Sequence, residues 1–430
     1  MSTVSIPTRV QEALIDPKWV AAMIEEMQAL ERNQTWDIVT LLEGKKSVGC
    51  KWVFTVKHMP NGTIDQYKAR LVARDFTQTY GVDYQETFAP TAKLNTIQVL
   101  LSLAANFDRP LQHSDVKNVF LHANLSEEIY MSMPPGYNFS GDTSLVFKLK
   151  KAVYGLKQLP RVWFRRFQLA MKKYGYTQNN ADHTLFLKPQ DGKITILIIH
   201  VNDMIVTGND IDKMAKLKTY LASKFDIKDL GGLKYFLGIE VARSKQGIFL
   251  SQHWKYVLNL LKETVMALIE ELPNHVPIDK GRYQSLVGRL IYLSRTRPDI
   301  AYVVSVVSRF MHNPSEVHMK ATFRIMRYLK FAPKKGLTFS KHNHVTVNGY
   351  CDSDWDAKGE RRQSITSKKQ KVVSLSSTKA EYRITIKGIE ELLWLKRLVE
   401  KLSFLAEGTM KLYCDIGIGM SHAYNYGVII

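Results

Sequence analysis

The chain is 430 residues long, 45% hydrophobic and 23% charged, with a formal net charge of +20. Those proportions suit folded domains with real cores, about two to four by length, and no stretch approaches the ~20 unbroken apolar residues of a membrane span. Cys50, Cys351 and Cys414 stand too far apart for a disulfide framework or a structural zinc site, and the start lacks the apolar core of a secretory leader, so an intracellular, reducing setting is expected.

In chain order, Asp16-Pro17 reads as an N-cap and first helical residue, with Val20, Met23, Met27 and Leu30 on one helical face. Residues 51–57 read as a strand and Asn61-Gly62 as a hairpin turn. The return strand, residues 67–73, puts Lys68 and Arg70 on one face and Ala69, Leu71 and Ala73 on the other. A helix is expected over residues 95–106, then a strand to Asp115 and a loop through Pro134-Pro135-Gly136. Residues 163–174 read as a basic helix. Two apolar runs, 194–199 and 204–206, flank His200-Val201-Asn202-Asp203 and predict a hairpin with acidic side chains at its tip. Residues 210–225 are helical, 235–241 a strand, and 256–328 mostly helical with a weak spot at 272–277. A new module is expected near Val345, with a strand over 345–351, a helix over 378–401 and a strand over 410–414.

Two places carry chemistry. Residues 143–181 hold nine Lys or Arg and no acid, among them Lys157, Arg161, Arg165 and Arg166. Phe147, Tyr154, Trp163, Phe164, Phe167 and Tyr174 interleave them. Cations for phosphates with rings for sugars or bases are the footprint of a nucleic-acid groove, although some of these rings must be core. The large positive excess of the whole chain points to the same polyanionic partner. The second place is the hairpin tip. Carboxylates on neighbouring strands are what a two-metal phosphoryl-transfer site needs, and Asp115 ends an earlier strand. Position 202 carries an amide where such a site would want a third charge.

Several motifs occur in a fixed order. They include Gly49-Cys50-Lys51-Trp52-Val53-Phe54, Tyr67-Lys68-Ala69-Arg70-Leu71-Val72-Ala73-Arg74 and Asp115-Val116-Lys117-Asn118. Tyr154-Gly155-Leu156-Lys157-Gln158, Tyr235-Phe236-Leu237-Gly238-Ile239-Glu240, Arg297-Pro298-Asp299-Ile300 and Gly349-Tyr350-Cys351-Asp352-Ser353-Asp354-Trp355 continue the series. Together they resemble the reverse transcriptase and RNase H portion of copia-type retrotransposon Pol polyproteins, from about Trp19 to Asn425.

The resemblance implies an α+β chain: a right-hand polymerase of fingers, palm and thumb, followed by a truncated RNase H-like α/β module. An N-terminal helix would fill residues 1–30, fingers and palm 31–255, a helical thumb or connection 256–340, and the RNase H-like module 341–430. By the same resemblance Asp115, Asp203 and the Val116 carbonyl would hold two Mg²⁺ ions, with Asn202 at the third position. Lys68 and Arg70 would grip a deoxynucleoside triphosphate, Phe120 would lie under its sugar, and Gly155 would let backbone approach the template. Lys157, Arg161, Arg165 and Arg166 would line the groove for an RNA or DNA template-primer. Asp352, Glu381 and Asp415 match three metal-binding carboxylates of RNase H.

The sequence departs from the pattern in places that bear on activity. Asn202 removes a unit charge, and a residual loss of ~3–4 kcal/mol would slow chemistry by roughly 10²–10³-fold. Between Asp352 and Glu381 two strands of the family are missing, the fourth RNase H carboxylate is absent, and residues 263–280 are shortened. Leu159 replaces a small residue and Asp75 a glycine. The chain reads as a piece of a larger Pol polyprotein or a decayed genomic copy. Two alternatives stand beside a crippled polymerase: an inactive remnant that binds nucleic acid, and a non-functional product of a decayed element.

Overall fold

The computed structural model describes residues 5–58, 63–117, 124–137, 145–252, 260, 279–333, 335–342, 344–352, 377–404 and 409–415. The chain begins with α1 (Val10–Ala13) and α2 (Pro17–Arg32). Asp16 caps α2 by accepting the Lys18 amide at 2.9 Å, and Pro17 presets the first turn. The α2 face with Trp19, Met23, Met27 and Leu30 is buried. After β1 (Trp36–Thr40), β2 (Cys50–His58) and β3 (Ile64–Ala73) pair antiparallel, with Trp52 opposite Leu71 and Val53 opposite Arg70. Ala69, Leu71 and Ala73 face the core, as their alternation predicts. Trp19 of α2 packs edge-on against Phe54 and Tyr67, which fixes the helix on this ribbon. The Asn61-Gly62 turn lies outside the described residues.

Next come α3 (Leu94–Asn106), β4 (Leu111–Val116), β5 (Asn124–Ser132) and β6 (Leu145–Lys151). β1, β6 and β5 form a small sheet in that order. α4 (Leu159–Lys173) starts four residues ahead of its expected position. Pro160 lies in its first turn, where a missing N–H leaves no helical bond unmade. β7 (Thr177–Gln178), β8 (Leu185–Gln190), β9 (Lys193–His200), β10 (Asp203–Gly208), α5 (Ile211–Lys224) and β11 (Ile227–Gly232) follow. They build a six-stranded sheet, order β11-β4-β10-β9-β8-β7, which sets β4 directly beside the β9–β10 hairpin.

The expected single strand over 235–241 is two strands, β12 (Tyr235–Phe236) and β13 (Ile239–Ser244). Leu237 and Gly238 turn between them at φ +50° and +72°, the left-handed pair of a tight hairpin. A leucine at the first turn position carries no turn signal, so the apolar run concealed it. β14 (Gly247–Gln252) continues this sheet. Three helices, α6 (Lys280–Ser294), α7 (Pro298–Ser308) and α8 (Glu316–Phe331), pack around their own apolar cluster, which includes Tyr283, Leu290, Val304 and Met326. β15 (Leu337–Ser340) then returns to pair with β14. β16 (Asn348–Asp352), α9 (Ser377–Lys401) and β17 (Lys411–Asp415) end the described chain, and β16 pairs with β17 in parallel. Leu398, Val399, Leu402 and Phe404 share one apolar cluster with Leu100 and Ala104 of α3. Residues 261–278 and 353–376, where the shortened connection and the missing strands were expected, lie outside the described residues. Among the described residues no helix is long and apolar enough to cross a membrane.

Candidate active site

The antiparallel register of β4 and β10 makes Asp203 the direct partner of Asp115. Register partners share a sheet face, with β-carbons about 5 Å apart, so the two carboxylates rise side by side. Val201 and Asn202 form the tip of the β9–β10 hairpin, closed by the His200–Asp203 pair. Val201 sits at φ +57°, a left-handed conformation that a β-branched residue adopts only when its surroundings impose it. The surroundings are evident. The Trp163 indole of α4 donates to the Val201 carbonyl at 2.8 Å, and the Val116 amide donates to the Asn202 carbonyl at 3.0 Å.

The side chains at the tip are tied down as well. The Asn202 amide donates to Asp115 Oδ1. His113 lies two residues before Asp115 and therefore on the same strand face, and its Nε2 meets Asp203 Oδ1 at 3.1 Å. Burial pushes the His200 imidazole pKa down, against the pull of Asp203, which favours a neutral ring.

A cleft of about 720 Å³ opens beside this tip. Asp115, Val116 and Asn202 line it together with Lys68 and Arg70 of β3 and Tyr154. Five cationic and three acidic side chains line it among the described residues. Burial pushes the Lys68 pKa down, assisted by the charges of Arg70 and Lys57. Arg70 forms an ion pair with Glu26 of α2 at 3.2 Å, and its guanidinium lies 4.6 Å from the Tyr154 ring centre. Burial raises the Glu26 carboxyl pKa, and Arg70 opposes the rise.

Gly155 has φ +88°, and a β-carbon there would stand 2.1 Å from the Ala73 carbonyl oxygen. The close approach that requires glycine is therefore to the end of β3, where the Ala73 amide donates to the Tyr154 carbonyl at 2.7 Å. The four groove cations differ in surroundings. Arg165 is exposed, whereas Arg161 pairs with Glu127 at 2.8 Å, Lys157 lies over the Tyr84 ring at 4.9 Å, and Arg166 is partly buried. Phe147, Trp163 and Phe167 are core rings, so half of the interleaved aromatic pattern is packing. Phe120 lies outside the described residues.

Residues 33–280 match the reverse transcriptase (RNA-dependent DNA polymerase) family. The chain belongs to that family. Across 96% of its length it is 36% identical to the "Retrovirus-related Pol polyprotein from transposon RE1" of Arabidopsis thaliana. Across 95% it is 36% identical to the corresponding polyprotein from transposon TNT 1-94 of Nicotiana tabacum. A more distant relative is the "Transposon Ty1-ER2 Gag-Pol polyprotein" of Saccharomyces cerevisiae, 24% identical over 76% of this chain. The copia-type resemblance carried by the motifs therefore stands. The chain spans 30% and 34% of the two plant polyproteins.

Asp352 and Asp415 are register partners at the C-terminal ends of the parallel strands β16 and β17. Glu381 lies in the second turn of α9. The side chains of these three residues lie outside the described part of the structure. α9 packs against the strand pair around Gly388 and Leu412.

The donor set at the hairpin tip suits a divalent cation in part. Two register-paired carboxylates and the adjacent Val116 carbonyl are the hard oxygen donors that Mg²⁺ takes. Asn202 turns its N–H toward Asp115 and so offers a donor at the third position. Among the described residues no group of three His, Cys, Asp or Glu is assembled as a metal cluster. The residues therefore fit a cation with one carboxylate fewer than two ions need.

Three residues at this site escape sequence reasoning. Glu26 interrupts the apolar stripe of Met23, Met27 and Leu30, which is a legible anomaly. His113 is two residues from Asp115, so strand periodicity places it on the right face. Nothing in the sequence ties Trp163 to the Val201 carbonyl, because that bond joins two separate elements.

Proposed function

We propose that this chain is the polymerase portion of a transposon Pol polyprotein, an RNA-directed DNA polymerase whose turnover Asn202 lowers. Its substrates are deoxynucleoside triphosphates and a template-primer. One observation carries the reading: Lys68 and Arg70 face the same cleft as Asp115, Val116 and Asn202. In right-hand terms the β2–β3 ribbon serves as fingers, the six-stranded sheet as palm and α6–α8 as thumb. β16, β17 and α9 are the remains of an RNase H-like module.

Lys68 and Arg70 bind triphosphate oxygens, and the planar guanidinium suits two oxygens at once. Asp115, Asp203 and the Val116 carbonyl would hold Mg²⁺, which when bound neutralises charge at the transferring phosphate and activates the primer hydroxyl. His113 orients Asp203, and the Trp163 and Val116 bonds keep the tip from shifting. Arg165, Lys172 and Lys173, all exposed on α4, offer cations to the duplex backbone. The Asn202–Asp115 hydrogen bond favours a second reading, in which the cleft and groove still bind while chemistry is lost.

Primer extension on an RNA template with Mg²⁺ tests both. Asn202→Asp is expected to extend faster than the natural chain by roughly 10²–10³-fold. Extension only by Asn202→Asp selects the binding remnant for the natural chain. Failure of both chains overturns the polymerase assignment of this site, and equal rates overturn the claim that Asn202 lowers turnover.

A further inference from the structure

Arg70 already holds an anion. Its Nη1 donates to Glu26 Oε2 at 3.2 Å, while the Tyr154 ring covers the guanidinium at 4.6 Å. Glu26 belongs to the inward stripe of α2 and is only 9% exposed. The core residues Met23, Met27 and Leu30 hold that stripe against the β2–β3 ribbon, so the carboxylate is carried into the wall of the cleft. A carboxylate and a phosphate oxygen are equivalent ligands for a guanidinium. Taking a carboxylate out of water is unfavourable unless a cation stands opposite it, and Arg70 is that cation.

From this geometry we propose that Glu26 sets the affinity of the cleft for triphosphates. It occupies on Arg70 the place of a substrate phosphate oxygen, and a nucleoside triphosphate binds by taking the guanidinium from it. The inference rests on the reading of this cleft as a triphosphate site. Several cations already draw a polyphosphate in, among them Lys57 and Lys68. The displaced carboxylate stays at the cleft wall and repels the bound anion. Affinity is thus held below what the cations alone would give, and release of pyrophosphate is assisted because Glu26 recaptures Arg70.

Calorimetric titration of the full chain with inorganic tripolyphosphate and with dTTP, both without metal, tests this. Glu26→Gln keeps the side-chain shape and removes the charge, and should tighten both ligands about tenfold, the worth of one charge-assisted hydrogen bond. Glu25→Gln removes a charge from the same cleft without touching the ion pair and should tighten binding no more than about threefold. In an Arg70→Gln background the Glu26→Gln gain should fall to the Glu25→Gln level. An unchanged or weaker affinity of Glu26→Gln, or an equal gain without Arg70, overturns the proposal. Should Glu26→Gln fail to fold, Glu26→Asp, whose carboxylate stops short of Arg70, must tighten binding instead, and failure to do so overturns it equally. If no variant binds either ligand, the triphosphate reading of the cleft falls together with this inference. If the natural chain binds, Lys68→Ala weakens it and Glu26→Gln has no effect, this inference alone falls.

Discussion

Asn202 changes the state of Asp115 when no cation is near. An aspartate at 202 would stand against two carboxylates, and only a bound cation would relieve the repulsion. The amide replaces that repulsion with a hydrogen bond to Asp115. In the proposed site the amide therefore trades cation affinity for stability without a cation. Asn202→Asp should lower stability without Mg²⁺ by about 2 kcal/mol, the combined effect of one lost hydrogen bond and one added like-charge contact. Mg²⁺ should then raise the melting temperature of Asn202→Asp well above any shift in the natural chain. Differential scanning fluorimetry reads both, and equal Mg²⁺ responses would contradict this account. At this scale Lys68, Arg70, Asp115 and Asn202 were legible, because strand alternation and turn position fix their faces. Which partner each side chain meets was not, because Glu26 and His113 reach their partners from other parts of the chain.

Among the elements, the helical unit α6–α8 shows how one buried charge organises packing. Arg297 is 1% exposed and clasps Asp299 with two bonds, Nε to Oδ1 at 2.9 Å and Nη2 to Oδ2 at 2.7 Å. A third bond runs from Nη1 to the Ala332 carbonyl at 2.8 Å, past the end of α8, and the Tyr328 hydroxyl donates to Asp299. These donors, Arg297 first, hold the Asp299 pKa down to about 2 from an ordinary 3.8. A depressed carboxyl pKa gives stability that is present above the unfolded value and is lost as pH falls through the folded one. Asp299→Asn should cost about 3 kcal/mol at neutral pH, because it leaves a buried guanidinium unpaired. The difference from the natural chain should close as pH falls from 3.8 to about 2. Urea unfolding at a series of pH values checks this, and a pH-independent difference would refute it. Most helices and strands were legible from periodicity and caps, Asp16-Pro17 above all. The Leu237-Gly238 turn and the early start of α4 were not, since an apolar run masks the first and a proline inside the first turn moves the second.

For the whole molecule, the net charge of +20 governs how it meets a polyanion. Affinity for a primer-template duplex should fall with log salt by about 0.9 per phosphate contacted. Replacing Arg165, Lys172 and Lys173 with glutamine should flatten that slope by about 2–3. Fluorescence anisotropy across a salt titration measures it, and an unchanged slope would remove α4 from the interface. The family was legible from ordered motifs. The way distant segments share a sheet was not, and it matters for where the molecule can be divided. The family match ends at residue 280, yet β14 is paired on one side by β15 at Leu337–Ser340, beyond three intervening helices. Cutting the chain at the family boundary would strip Gly247–Gln252 of that partner and leave a row of open backbone donors and acceptors. Such an edge recruits strands from neighbouring molecules. Strand pairing thus carries the sheet of Gly247–Gln252 past the family boundary, and a fragment meant to keep β14 paired has to run at least through Ser340.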